Sequence, residues 1–270
     1  MPTNAAKNLH GKTVLITGAS SGIGRSCAFE FARTSPQSLK LILTARRVDR
    51  LHDLSAQITQ ELGDGVQVHV VKLDVSKSNE IERLFVNLPK EFRDVDVLVN
   101  NAGFMSGYER APDIPNHVVQ DVWATNVIGV IGMTQEFLKV AKRRGEGGSG
   151  DVVMIGSIAG REAYAGGSIY CASKAAIRSF TDALRKELIG TGIRVITVDP
   201  GQVLTEFAVI RNRGDEASAD KVYEGCDPLT PEDIAEVVVF ASSRRENVVV
   251  ADSMLFPNYQ ASALDIHRRF

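Results

Sequence analysis

The sequence predicts an α/β protein built on a doubly wound parallel sheet of about seven strands, with helices on both faces. Three observations lead there. Short runs rich in Val, Ile and Leu recur along the chain and are nearly continuous in apolar character, as strands buried on both faces require. Longer segments of helical periodicity separate them, so strand and helix alternate as in crossover connections. The first strand leads directly into a glycine-rich turn and a helix, "TGASSGIGRSCAFEFA", Thr17 to Ala32.

The elements follow in order. "KTVLITG" (12–18) is the first strand, and the apolar spacing after its glycines gives a helix over 22–34. "LKLILTAR" (39–46) and "VQVHVVKLD" (66–74) are strands, each followed by an amphipathic stretch, 48–62 and 78–92. "VDVLVNN" (95–101) precedes a long helix over 116–143, and "DVVMIGS" (151–157) precedes one over 168–190. "RRGEGGSGD" (143–151) is a surface turn and not a domain linker, because the patterning resumes on both sides. "IRVITVDP" (193–200) and "DSMLFP" (252–257) complete the strands. Before the last comes a helix over 231–242, with Thr230 as its cap, Pro231 at its first position and Asp233 three residues after the cap. Without repeats or low-complexity tracts, residues 1–270 read as one Rossmann-type domain. Its segment 201–228, weak in apolar periodicity and mixed in charge, reads as a substrate lid.

Composition narrows the function classes. Apolar residues at 44% and charged residues at 24% suit a full hydrophobic core and confine disorder to the ends. A formal net charge of -2, with dispersed Lys and Arg, argues against nucleic acid as a partner. Cys27, Cys171 and Cys226 are odd in number and far apart, which suits free thiols in a reducing compartment and gives no metal site. "MPTNAAKNLH" lacks an apolar signal segment and no run has the length of a membrane helix, so a soluble cytoplasmic protein is expected.

Gly18, Gly22 and Gly24 stand where a strand turns into a helix. There glycine lets the backbone approach a pyrophosphate, and the helix N-terminus offers N–H groups to it. The second strand ends "LTARR": Ala45 occupies the place of the acid that would bond a ribose 2′-hydroxyl, and Arg46 and Arg47 follow. A guanidinium suits a 2′-phosphate, so NADP is expected over NAD, with Arg46 favoured as its ligand. "YCASK" puts Tyr170 and Lys174 on one helical face, a spacing that by itself favours an ordinary surface pair and that its context turns into a reactive one. Ser157, thirteen residues before Tyr170, ends the fifth strand and points from the same crevice as the glycine turn. Hydride exchange at a carbonyl carbon calls for a proton donor or base at the oxygen. An ammonium about 4 Å from the phenol contributes roughly 4 kcal/mol at an effective dielectric near 20, enough to bring a group of ordinary pKa near 10 towards neutrality. Ser157 would hydrogen-bond the oxygen on which charge develops.

The pattern TGxxxGIG, on Thr17, Gly18, Gly22, Ile23 and Gly24, resembles that of the short-chain dehydrogenase/reductase family, and the resemblance extends over nearly the whole chain. It implies a catalytic set of Asn126, Ser157, Tyr170 and Lys174, with Asn126 of "WATNVIGV" on the proton path through Lys174 and water. It also implies that Ser20, Ser21 and Ile23 join the glycines at the cofactor, that Asp74 and Val75 lie against the adenine, and that "NNAG" brings Asn101, Ala102 and Gly103 beside it. In isolation Asp74 equally suits a turn cap. In "DPGQVLTEF", Pro200 and Gly201 turn the chain under the nicotinamide, with Val203 and Thr205 following. Arg161, Arg211 and Arg213 lie where an acidic substrate could meet them. "GSIAGREAYAGGSIYCASKAA", "TEFAVIRNRGDE", "KVYEG" and "LTPEDIAE" look like the NADP-dependent 3-hydroxy acid dehydrogenase branch, whose members oxidise serine, allo-threonine and related acids and reduce malonic semialdehyde. That implies a homotetramer whose contacts the C-terminal "FPNYQASALDIHRRF" helps complete. A reductase of neutral ketones or aldehydes and a non-catalytic cofactor-binding protein are the competing readings; retention of both Tyr170 and Lys174 speaks against the second.

Overall fold

The strands β1 (Thr13–Thr17), β2 (Lys40–Ala45), β3 (Gln67–Lys72), β4 (Val97–Asn100), β5 (Ser149–Ile155), β6 (Gly192–Pro200) and β7 (Asp252–Leu255) pair in one all-parallel sheet. Their order is β3-β2-β1-β4-β5-β6-β7, seven strands as the sequence predicts. The computed structural model describes residues 3–269; Met1 and Pro2 of the N-terminal stretch and Phe270 of the C-terminal stretch lie outside the described residues. The winding reverses between β1 and β4. Connections diverge there, and the carboxyl ends of the strands leave a crevice.

The pleat divides the core. Val14 and Ile16 of β1 pack with α2 (Gly22–Thr34), α3 (Val48–Leu62) and α10 (Pro231–Ser242) on one face. Leu15 points to the other, with α4 (Ser78–Asn87), α6 (Val130–Ala141) and α7 (Ser168–Glu187). All five residues of β1 are buried, each large apolar side chain contributing about 1.5–3 kcal/mol. β3 differs: its residues are exposed or half-buried, because an edge strand has one neighbour. The predicted cap is present, with Thr230 and Asp233 each accepting the other's backbone N–H.

Four local features differ from expectation. A short helix α1 (Asn4–Leu9), capped by Thr3, precedes the sheet. α4 stops at Asn87, before Pro89, and only a single 3₁₀ turn follows it. The long helix expected over 116–143 is α5 (Asn116–Trp123), a π-helical turn (Ala124–Gly129) and α6, continuous but re-phased. The lid contains α8 (Glu206–Arg211) and α9 (Glu216–Lys221), each too short to show a helical period. Among the described residues no helix is long and apolar enough to cross a membrane.

Candidate active site

The carboxyl ends of β1, β2, β4, β5 and β6 open into one cleft of about 760 Å³. The glycine turn forms one wall. Gly18 and Gly22 have φ of +67° and +52°, a region that glycine enters without strain. A Cβ on Gly24 would stand 2.5 Å from Asn101 Nδ2 and 2.6 Å from the Gly18 carbonyl oxygen. Asn101 Nδ2 donates to the Thr17 and Gly18 carbonyls, so "NNAG" ties the turn to β4. Gly24→Ala is expected to cost about 1–3 kcal/mol through this overlap, read as a lowered denaturant midpoint at unchanged slope. Ser21 caps α2 without a side-chain bond to it, which leaves the first N–H groups of the helix for an anion.

The two arginines after β2 have different tasks. Arg47 donates to Ser20 Oγ and Ser21 Oγ and, at 2.9 Å, to Glu206 at the start of the lid. Arg50 donates to the same carboxylate. Arg46 is exposed at the cleft, with no carboxylate within ion-pair distance among the described residues. Asp74 Oδ1 accepts from the N–H and hydroxyl of Ser76, so it does cap a turn, while it and Val75 also line the cleft. Ala102, Gly103, Pro200, Gly201 and Val203 line it too. Thr205 caps α8 through the Phe207 N–H, and its methyl group lies against Gly22.

Ser157, expected to end the strand, lies two residues beyond β5 and caps the 3₁₀ turn Ile158–Gly160. Its Oγ accepts the Ala159 N–H at 3.1 Å, and its side chain lines the cleft together with Tyr170. Tyr170 lies on α7, its ring 5.4 Å from that of Phe207. Lys174 Nζ donates to the Ile155 carbonyl at 2.9 Å and stands 5.8 Å from the Tyr170 ring centroid. Asn126 falls in the π-helical turn. Its amide oxygen accepts the Phe104 N–H, and its Nδ2 donates to the Phe104 carbonyl and Ser173 Oγ. A Cβ on Gly103 would be 3.3 Å from Asn126 Oδ1 and 3.8 Å from Lys174 Nζ, so both groups border this glycine.

Electrostatics corrects one expectation. Tyr170 is not drawn towards neutrality: burial, followed by the nearby Tyr164, pushes the phenol above its ordinary range, against the opposing influence of the Ser157 hydroxyl and the Arg211 charge. Burial instead lowers Lys174 to about 8, with the Asp199 carboxylate opposing it. The lysine ammonium is not among the charges that shift the phenol, and its proton is directed at the Ile155 carbonyl. Tyr170 is therefore held protonated, the form of a proton donor.

The three candidate substrate arginines separate as well. Arg161 does not line the cleft; Asp199 and Asp252 bind its guanidinium. Arg213, at φ +55°, pairs with Glu109 and also lies outside. Arg211 lines the cleft, buried at 7% exposure, 4.0 Å over the Tyr108 ring and 5.5 Å from that of Tyr164. It donates to the Gly107 carbonyl, Tyr164 Oη and the Gly166 carbonyl, and no carboxylate pairs with it among the described residues. Tyr108, Tyr164 and Tyr223 also line the cleft and were not foreseen. Their signal was available: the chain has five tyrosines, and these three and Tyr170 are four of them.

What these elements can hold together is a phosphate-bearing dinucleotide against a buried proton donor, which defines a dehydrogenase-type α/β protein. Residues 12–216 match the family described as short chain dehydrogenase, and the chain belongs to that family. It is 48% identical to an NADP-dependent 3-hydroxy acid dehydrogenase of Schizosaccharomyces pombe, over 97% of this chain and 98% of the relative. It is 38% identical to sulfoacetaldehyde reductase 2 of Chromohalobacter salexigens, over 94% and 98%. A solved closed form of serine dehydrogenase complexed with NADP+ superposes with a TM-score of 0.85 at 37% identity, covering 95% of this chain and all of that one.

Proposed function

We propose that this protein is an NADP-dependent dehydrogenase of small 3-hydroxy acids such as serine or allo-threonine, working in reverse as a reductase of the corresponding semialdehydes or 3-oxo acids. The observation that carries the substrate class is Arg211, a buried cation that has no carboxylate partner among the described residues and lines the cleft that holds Tyr170. A guanidinium has five N–H donors, and three are engaged by Gly107, Tyr164 and Gly166, which leaves two. The names of the relatives support it: a 3-hydroxy acid, serine and sulfoacetaldehyde each carry an anionic group close to an oxygen-bearing carbon.

The cleft fits the cofactor through its glycine turn, the uncapped start of α2 and the missing acid at Ala45. When bound, the cofactor gives or takes a hydride at the substrate carbon. The residues of the chain manage the oxygen. Ser157 holds it by a hydrogen bond where charge develops. Tyr170 gives it a proton in reduction and removes one in oxidation. Lys174, next to Asn126 across Gly103, replenishes that proton. Arg211 holds the acid group and so sets which carbon faces the phenol.

The remainder of the reading is one catalytic domain with a lid over 201–228, in a reducing cytoplasm, assembled as a homotetramer. Three unpaired cysteines support the compartment, and the exposed Trp123, Ile128 and Phe240 support the assembly. Sedimentation analysis tests the latter. The function is tested by NADPH absorbance with 3-hydroxy acids, semialdehydes and neutral ketones; turnover confined to neutral ketones rejects it. For the cofactor, Arg46→Ala is expected to remove about 1.5–3 kcal/mol of NADPH affinity, roughly tenfold to a hundredfold, and to leave NADH unchanged in a fluorescence titration. Equal binding of both cofactors by the unaltered protein would contradict it.

A further inference from the structure

Arg161 lies beside the reacting centre yet outside the cleft, and its partners give it a task. Behind the end of β5 four charged side chains form a ring: Arg161, Arg178 on α7, Asp199 on β6 and Asp252 on β7. Asp199 is its buried member, with a side chain 3% exposed; Arg161 and Arg178 are at 22% and 30%, and Asp252 at 39%. One carboxylate oxygen of Asp199 takes Arg161 Nε at 2.7 Å and Arg178 Nη1 at 3.2 Å. The other accepts the backbone N–H of Ser157 at 3.0 Å. That oxygen lies so near Gly156 that any Cβ there would overlap it. Lys174 Nζ is bound one residue earlier, on the Ile155 carbonyl. Three consecutive residues, Ile155, Gly156 and Ser157, are thus set by this carboxylate and the lysine.

We propose that Asp199 is a positioning residue for the reaction: pinned by Arg161 and Arg178, its carboxylate fixes the backbone of Ser157 and helps seat the lysine ammonium behind Tyr170. A carboxylate buried only for stability needs its cations and nothing more. This one directs an oxygen at the residue that meets the substrate. The charged and titratable groups facing it are Arg161 from the turn after β5, Arg178 and Lys174 from α7, and Asp252 across the two arginines from β7; Tyr170 faces the lysine. Asp199 opposes the burial that lowers Lys174 to about 8. Removing its charge therefore moves the lysine further down, so that the ammonium is lost at lower pH.

The inference rests on Ser157, Tyr170 and Lys174 being the reacting centre. Its test uses the full chain with 3-hydroxypropionate and NADP+, and compares Asp199→Asn with Asp252→Asn. The second variant disturbs the same ring at its exposed end, without touching Ser157. Asp199→Asn is expected to lower kcat by about 10²-fold while NADP+ affinity is unchanged. In the protein without cofactor, NMR of ¹³C-labelled lysine, assigned with Lys174→Arg, should show Lys174 titrating below its position in the unaltered chain. Asp252→Asn should leave both readouts in place. Unaltered kcat and lysine titration in Asp199→Asn, or the same losses in Asp252→Asn, would overturn the proposal. Where Asp199→Asn does not fold, Arg161→Gln substitutes: a fall in kcat at constant KM is expected, and a raised KM for 3-hydroxypropionate with kcat intact overturns the assignment. Tyr170→Phe run alongside distinguishes the two failures. Retained turnover there rejects the reacting centre itself, whereas an inactive Tyr170→Phe beside a normal Asp199→Asn rejects only the positioning role.

Discussion

Tyr170→Phe is expected to lower turnover by about 10²–10⁴-fold, the usual range for a removed general acid, while NADP+ binds as before. The change removes one oxygen from a ring packed on Phe207, so the fold of α7 should survive. It leaves the substrate oxygen without a proton donor. Parallel titration of NADP+ by fluorescence shows whether binding and chemistry separate. A variant that keeps most of its turnover would refute the role of the phenol. The pH dependence follows from Lys174. At pH below about 8 its amine is protonated and can replenish the proton that Tyr170 gives up; above that value it is neutral and cannot. Reductive kcat/KM should therefore be level at lower pH and fall as pH rises through about 8. The same limb should be absent from Lys174→Met, whose residual rate has no lysine to titrate.

How far the sequence could lead is set by the distance over which each feature is decided. The glycine turn, the seven strands and the spacing from Ser157 to Lys174 depend on neighbours in the chain, and the structure has them where local pattern places them. The arginines depend on partners far away. Arg161 meets Asp252 across 91 residues, Arg47 meets Glu206 across 159, and Arg211 meets Gly107 across 104. No pattern at short range distinguishes a cation bound by two carboxylates from one left facing a cleft. Asn126 is a related case. The residue type is legible, but the π-helical turn that re-phases it against Phe104 shows no periodicity of its own within six residues. The phenol is the sharpest example. Charge proximity in the sequence points to a lowered pKa, and only the enclosed walls of the cleft reveal that burial reverses the sign.

Arg211 carries the largest effect on substrate choice. Its guanidinium is flanked by two tyrosine rings and donates to two carbonyls outside the lid, so an incoming acid meets it already desolvated and oriented. Removing one partner of such a buried charge pair costs about 2–5 kcal/mol, roughly 30-fold to 4,000-fold in kcat/KM. Arg211→Met keeps an unbranched side chain against Tyr108 and removes the charge. It also loosens the ties to Gly107 and Gly166, and through them the lid, so an absolute rate would mix two causes. The ratio of kcat/KM for malonic semialdehyde to that for propanal cancels the second, because both aldehydes need the same closed lid and only one carries a carboxylate. That ratio is expected to collapse in Arg211→Met. In Arg211→Lys it should fall less, since an ammonium keeps the charge but not the paired geometry of a guanidinium. In Arg161→Gln and Arg213→Gln, whose cations already have carboxylate partners, the ratio should stay where it is. A ratio unmoved in Arg211→Met would leave the acid without its ligand and favour a neutral aldehyde or ketone as the substrate of this cleft.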